Sequence, residues 1–226
     1  MLKLAVGIPA YRGQIASAHA PMWAQFGAAV ARAQGHAPPG RAASPSGDAQ
    51  IDDDVQVVMF GHVDTCGVDR ARNALVRQAT VAGAQWLLMV DSDTFAVAGK
   101  DLLRMIVERP PGAAAVGAPV IRRGEGTLNI WRWTGGRHES HDPRRQLGHD
   151  AYGHYLEIDA VGAAILAIDL AIVQRTAATF AWAHGMSEDL WFCRQLRELG
   201  EHIYVDPRVA TVHLGQPEIL TYTPGP

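Results

Sequence analysis

The segment Trp86-Leu-Leu-Met-Val-Asp91-Ser92-Asp93-Thr94 decides the fold of this sequence. Its first five residues are all apolar, a run that is typical of a strand buried on both faces of a parallel sheet. Two carboxylates, two residues apart, follow that strand directly. Ligands of open α/β sheets bind beyond the carboxyl ends of the strands, and paired carboxylates there suit a hard divalent cation. We therefore expect a ligand site at Asp91 and Asp93.

Three further groups of polar side chains bear on this expectation, because a short Asp-x-Asp motif would also suit a solvated turn. Arg72 and Asn73 lie in the helix that precedes the strand, where a cation would meet a phosphate or a base. His213 ends a short strand near the C-terminus and becomes a third metal ligand if that strand returns to the aspartates. Glu188 and Asp189 lie in the first turn of a helix, where the helix dipole also stabilises acidic residues.

Outward from residues 86–90, strands and helices alternate, which predicts a parallel sheet covered by helices. The predicted strands are 2–8, ending at Pro9, and 55–60, 86–90, 113–120, 161–168, 202–205 and 210–213. The predicted helices begin near Pro21, near Asp69, at Lys100 and at Glu188. No internal repeat and no clean linker divides the chain, so we expect a single domain over residues 1–226.

Composition excludes several classes of protein. The 226 residues are 48% hydrophobic, which rules out a wholly disordered or fibrous chain. A formal charge of −3 gives no global attraction to nucleic acid or anionic membranes. Cys66 and Cys193 cannot form a disulfide framework, so a cytoplasmic location is expected. The apolar run 160–173 is interrupted by Asp169 and is shorter than the roughly 20 residues of a membrane span.

Taken in their order, these segments resemble nucleotide-sugar-dependent glycosyltransferases of the GT-A fold, close to family 2. The resemblance rests on Val90-Asp91-Ser92-Asp93, which is similar to the family's Asp-x-Asp signature. It also rests on five other stretches: Gly7-Ile-Pro-Ala-Tyr11, Arg72-Asn73 with Gly83-Ala84, Asp159 to Ala164, Glu188-Asp189, and Gly200 to Pro207 followed by His213. The implied fold is a Rossmann-like, mostly parallel central sheet flanked by helices. Residues 1–95 would form its nucleotide-binding half and residues 96–226 its acceptor and catalytic half.

The resemblance implies a metal-dependent, hexosyltransferase-type enzyme that moves a sugar from a nucleoside-diphosphate sugar, with UDP-sugars favoured, to an acceptor hydroxyl. Asp189 would be the base of an inverting reaction, with Glu188 beside it. Asp91, Asp93 and His213 would bind the metal, and one imidazole among the ligands favours Mn²⁺ over Mg²⁺. The residues implied to contact the donor are Pro9, Ala10, Tyr11, Arg12, Arg72, Asn73, Asp91, Ser92, Gly162 and Ala163.

Several alternatives stay open at the level of the sequence. Asp64 and Asp69 are both candidates for reading the nucleobase, and the 35–50 loop matches no family feature. Residues 124–155 are rich in arginine and tryptophan, which would suit an anionic or polymeric acceptor, nucleic acid included. A non-catalytic nucleotide-sugar or carbohydrate-binding module on the same fold is one alternative function. A phosphatase of the haloacid dehalogenase type is another, although Thr94 stands too close to Asp93 for that motif.

Overall fold

The computed structural model describes residues 1–10, 19–33, 55–64, 67–134, 137–140, 155–214 and 219–224. Tyr11, Arg12, Cys66 and the 35–50 loop lie outside the described residues, and so does most of the predicted acceptor region beyond residue 140. None of the helices in the described part of the chain has the length and apolar character needed to cross a membrane.

Thirteen strands and five helices make up the described part. The strands are β1 (Leu2–Ala10), β2 (Val55–Asp64), β3 (Trp86–Val90), β4 (Thr94–Ala96), β5 (Ala113–Gly117), β6 (Ile130–Thr134), β7 (Arg137–Ser140), β8 (Leu156–Ile158), β9 (Ala160–Val161), β10 (Ile165–Asp169), β11 (His202–Val205), β12 (Thr211–Leu214) and β13 (Ile219–Tyr222). The helices are α1 (His19–Ala33), α2 (Val68–Val81), α3 (Gly99–Val107), α4 (Leu170–Thr176) and α5 (Glu188–Glu198).

The central sheet has seven strands in the order β2-β1-β3-β10-β5-β11-β8. Five of them run in one direction, while β10 is antiparallel to β3 and β5, and β8 is antiparallel to β11. Two small sheets, β13-β12-β4 and β7-β6-β9, lie beside it. The predicted mostly parallel α/β fold is confirmed, but the simple alternation of strands and helices did not predict the reversed strand β10.

Helices cover both faces of the central sheet, as the continuous apolar run of β3 requires. Alternate residues of each strand face opposite sides. On one side, Leu88 and the residues of neighbouring strands that face the same way pack with α1 and α3. On the other side, Leu87 and Met89 pack with α2 and α5. This arrangement leaves the end of β3, where the aspartates begin, at the edge of two apolar layers.

Several predicted boundaries were wrong. Strand β2 runs to residue 64 rather than 60, and β5 ends at residue 117 rather than 120. Strand β1 does not end at Pro9 but continues to Ala10. Pairing with β3 ends at Gly7, so the missing N–H of Pro9 costs no hydrogen bond on that side. The predicted strand 161–168 is two strands, β9 and β10, separated by a turn at residues 163–164.

The crossing of α1 and α3 gives a stability prediction. A Cβ added at Gly99 would overlap the carbonyl oxygen of Met22 and lie 2.7 Å from the nitrogen of Phe26. Since backbone atoms cannot move aside cheaply, Gly99→Ala should lower the free energy of unfolding by about 1–3 kcal/mol or more. Gly27, in the middle of α1, has open space around its Cβ position. Gly27→Ala should therefore raise stability by about 0.5–1 kcal/mol. Urea unfolding of both variants checks the opposite signs.

Candidate functional site

The Asp-x-Asp turn lies at the carboxyl end of β3, as predicted. The turn closes through a hydrogen bond from Thr94 N to Asp91 O, 3.1 Å long. Its two ends are held by other segments, since Asp91 N donates to Ala164 O at 2.8 Å and Leu214 N donates to Asp93 O at 2.7 Å. The main chain of both aspartates is therefore fixed by residues that are distant in sequence.

Arg72 joins the Asp-x-Asp turn to the acidic pair of α5. It is 2% exposed, and one nitrogen of its guanidinium bonds both carboxylate oxygens of Asp91, at 2.8 and 3.1 Å. The other terminal nitrogen bonds the carboxylate of Glu188, itself 5% exposed. The Nε of Arg72 is buried without a hydrogen-bond partner among the described residues. Two acidic motifs from distant parts of the sequence therefore meet at one buried arginine.

Burial dominates the ionisation of this cluster. Loss of hydration raises the pKa of Asp91 above its ordinary value, although Arg72 acts in the opposite direction. The pKa of Glu188 is raised for the same reason and is also opposed by Arg72. Burial opposes charge on Arg72, but Asp91, Glu188 and Asp189 together hold its pKa above the ordinary range. Arg72 is thus the group that opposes protonation of these two carboxyl groups.

Asp189 is half-buried and points to a different partner from its neighbour Glu188, as adjacent helical residues must. Its Oδ2 accepts a hydrogen bond from Ala163 N at 3.2 Å. Its Oδ1 accepts from Leu190 N at 2.8 Å and from the hydroxyl of Ser187. The 162–164 segment therefore touches both acidic motifs, because Ala164 O accepts from the main chain of Asp91.

Asp93 and His213 lie next to each other at the rim of the site. Strand β12 pairs with β4 so that His213 stands opposite Thr94. The Nδ1 of His213 is 2.8 Å from Ile121 O, a carbonyl that can only accept, so Nδ1 carries the proton. Its Nε2 lies 3.8 Å from Asp93 Oδ1 and offers the lone pair that a metal ligand needs. This donor pair suits a divalent cation.

The structure does not bring the three predicted metal ligands together. Asp91 is held by Arg72, whereas Asp93 and His213 form the adjacent pair. Among the described residues, no cluster of three or more His, Cys, Asp or Glu side chains could hold an ion. The charges nevertheless favour a cation, because four carboxylates face two guanidinium groups, leaving two excess negative charges. The carboxylates are Asp91, Asp93, Glu188 and Asp189, and the guanidinium groups are Arg72 and Arg123.

The other residues predicted to contact the sugar donor lie at several places in the fold. The amide of Asn73 is engaged at both ends by Phe180, donating to its carbonyl at 2.7 Å and accepting from its N–H at 3.1 Å. This bond pair holds the loop before α5. Ser92 lies within the Asp-x-Asp turn, Pro9 and Ala10 end β1, and Gly162 and Ala163 lie beside Asp189.

Two residues of this region were not predicted from the sequence. Arg123, just before the arginine-rich stretch 124–155, was not assigned to the site, yet it bonds Asp93 and Leu214 O. Asn129, 5% exposed, was not singled out at all and holds the 162–164 segment. A buried asparagine in an apolar stretch, Leu128-Asn129-Ile130, was the available signal, since buried amides need hydrogen-bond partners.

Comparison with known proteins bears on the fold. The chain is similar to the protein A197 from STIV, with a TM-score of 0.56 and 10% identity, over 99% of this chain and 95% of that one. A Drosophila beta-1,4-galactosyltransferase 7 mutant, solved in complex with manganese, UDP-Gal and xylobiose, has a TM-score of 0.45 and 13% identity, over 98% and 71% of the two chains. No family model and no curated protein matches the sequence. The likeness to A197 shows a shared fold over nearly the whole chain and nothing finer.

Proposed function

We propose that this protein is a metal-dependent glycosyltransferase that moves a sugar from a nucleoside-diphosphate sugar to an acceptor hydroxyl. The observation that carries the proposal is the meeting of two acidic motifs at one buried arginine, Arg72, beyond the carboxyl end of β3. One motif, Asp91 to Asp93, suits a diphosphate with its cation. The other, Glu188 and Asp189, suits removal of a proton from the acceptor. A transfer reaction needs both.

The donor side is assigned to the Asp-x-Asp turn. Asp93 and His213 offer one carboxylate oxygen and one imidazole lone pair, with Asp91 close by in the same turn. A bound divalent cation, Mn²⁺ favoured over Mg²⁺, would supply positive charge against the departing diphosphate. Ser92, Gly162 and Ala163 are small, and their main chain lies at the same strand end, so they are the proposed neighbours of the sugar. UDP-sugars are the favoured donors.

The acceptor side is assigned to Asp189. Its Oδ2 has one hydrogen bond, from Ala163 N, and the carboxylate is half-buried rather than enclosed. It can therefore accept a proton from an approaching hydroxyl. Glu188 is engaged by Arg72 and braces the start of α5. If the base and the cation act on opposite faces of the sugar, in-line attack would invert the anomeric centre.

The donor assignment predicts a loss of metal-dependent binding in Asp93→Ala. Calorimetric titration of UDP should show tight binding to the unaltered protein with Mn²⁺ and weak binding with EDTA. Asp93→Ala should remove this difference, because a carboxylate oxygen of the cation site is lost, while thermal unfolding without ligand changes little at this exposed rim. Glu198→Ala, at the far end of α5, is the matched control and should bind like the unaltered protein.

Two results would contradict the proposal. If Asp93→Ala binds UDP in Mn²⁺ as tightly as the unaltered protein, the metal assignment is wrong. If the unaltered protein binds nucleoside diphosphates with Mn²⁺ but transfers no sugar from any donor to any acceptor or to water, the protein is a binding module on this fold.

A further inference from the structure

We propose that Asn129 is a positioning residue that orients the carboxylate of Asp189 through the 162–164 segment. The inference rests on the proposed function, because Asp189 is the proposed base. Asn129 does not touch Asp189 by a hydrogen bond, and none of the family motifs includes it. It acts on the base through the main chain of two small residues, Gly162 and Ala163.

Four hydrogen bonds fix Asn129 between two segments. Its side-chain Oδ1 accepts from Val120 N at 2.7 Å, and its Nδ2 donates to Gly162 O at 3.1 Å. Its main-chain N donates to Val120 O at 2.9 Å, and its main-chain O accepts from Gly162 N at 2.8 Å. Both main-chain polar groups of Gly162 are therefore bound by one buried residue, which leaves this glycine little freedom to rotate.

The fixed peptide leads directly to the base. The residue after Gly162 is Ala163, whose N–H donates to Asp189 Oδ2 at 3.2 Å. This N–H belongs to the same peptide unit as Gly162 O, the oxygen that Asn129 Nδ2 binds. A peptide unit is planar, so a rotation that breaks one bond also re-aims the other. The amide of Asn129 therefore sets the direction from which Oδ2 of Asp189 is held.

Close packing supports the same coupling. A Cβ added at Gly162 would lie 3.0 Å from Asn129 Cβ, 3.2 Å from its Nδ2 and 3.3 Å from Asp189 Oδ2. Asn129 and the carboxylate thus both lie around the position that a side chain of residue 162 would take, with no space for one. Opposite the Ala163 contact, Leu190 N and the Ser187 hydroxyl hold Oδ1. Displacement of Gly162 would remove from Oδ2 the hydrogen bond that Ala163 N donates, the only one it accepts within the described part of the chain, and the carboxylate would turn.

A double-mutant cycle tests the inference. Asn129→Asp keeps the shape and the acceptor for Val120 N, but it loses the N–H donor to Gly162 O and sets oxygen against oxygen. We expect a fall in kcat of about tenfold or more, with donor KM within about twofold, because a small misplacement of a base costs up to about a hundredfold. In an Asp189→Asn background, Asn129→Asp should change kcat by less than about twofold, since the group it orients is gone.

Two further variants keep the test decisive. Gly162→Ala disturbs the connection between Asn129 and Asp189 at the glycine itself. Its loss of kcat should likewise shrink in the Asp189→Asn background, so it serves as the test if Asn129→Asp folds poorly. Gln195→Glu is the matched control, because Gln195 binds both main-chain groups of Thr179 on the same helix α5. Its kcat should stay within about twofold.

The possible outcomes distinguish a failure of this inference from a failure of the proposed function. Equal losses of kcat from Asn129→Asp in both backgrounds would show a purely structural role and overturn the inference alone. Unchanged kcat in Asn129→Asp and Gly162→Ala would do the same. Absence of any sugar transfer by the unaltered protein would overturn the proposed function, and the inference with it.

Discussion

Replacement of Asp189 by asparagine is expected to lower kcat by roughly 10²–10⁴ while donor affinity stays nearly unchanged. The amide has the size of the carboxylate, and its one oxygen can still accept from Ala163 N, although the bond from Leu190 N to the other oxygen is then lost. What it cannot do is take a proton from the acceptor. Steady-state kinetics with a UDP-sugar, together with calorimetric titration of UDP in Mn²⁺, separates the two quantities.

Glu188→Gln is the informative partner variant. Because Glu188 is buried and bound to Arg72, its loss should lower stability more than kcat. If Asp189→Asn retains near-normal turnover while Glu188→Gln is inactive, the two residues have exchanged roles. If both variants remain active, the inverting mechanism with a carboxylate base is mistaken.

Arg72→Met is expected to lower the free energy of unfolding by about 3–5 kcal/mol, since it leaves the buried carboxylate of Glu188 and the half-buried one of Asp91 without their cation. For a chain of this size, the melting temperature should fall by on the order of 10 °C. Arg77→Met is the matched control, because Arg77 is an exposed arginine on the same helix α2. It should change stability by less than about 0.5 kcal/mol. A loss equal to that of the control would contradict the buried ion cluster.

The loss of stability in Arg72→Met should grow as pH rises. Burial already raises the pKa of Asp91 and Glu188, and Arg72 opposes that rise. Without Arg72, the folded state holds protons on these carboxyl groups that the unfolded chain has released, so its stability falls as pH rises. The deficit against the unaltered protein should be greatest at pH 7 and above, and it should shrink towards pH 5. Urea unfolding in EDTA across this range measures it.

The parts of the fold that depend on local pattern could be predicted from the sequence. The continuous apolar run of β3 gave its bounds without error, and the position of the aspartates beyond its end followed from general rules of α/β sheets. Helices α2 and α5 begin within a residue of their predicted starts. Asp169 was treated only as an interruption of an apolar run. In the structure it is the N-cap of α4, accepting from Ala171 N and Ile172 N.

The parts that depend on long-range pairing could not be predicted. Strands β4, β8 and β9 are two or three residues long, so they carry too little periodicity to be recognised. The sequence identified Arg72 as a cation near the site but not as the bridge between two acidic motifs, because Glu188 lies 116 residues further along the chain. Metal ligation, donor identity and acceptor identity stay predictions.

The reversed strand β10 affects how the protein is made. Translation proceeds at roughly 5–20 residues per second, so on the order of ten seconds separates the emergence of β3 from that of β10. During this interval the nascent chain has β1 available for one edge of β3, while the other edge waits for Ile165–Asp169. An exposed apolar strand edge readily pairs with other chains. Ribosome-bound fragments that end shortly before Ile165 should therefore be the length at which chaperones are most needed.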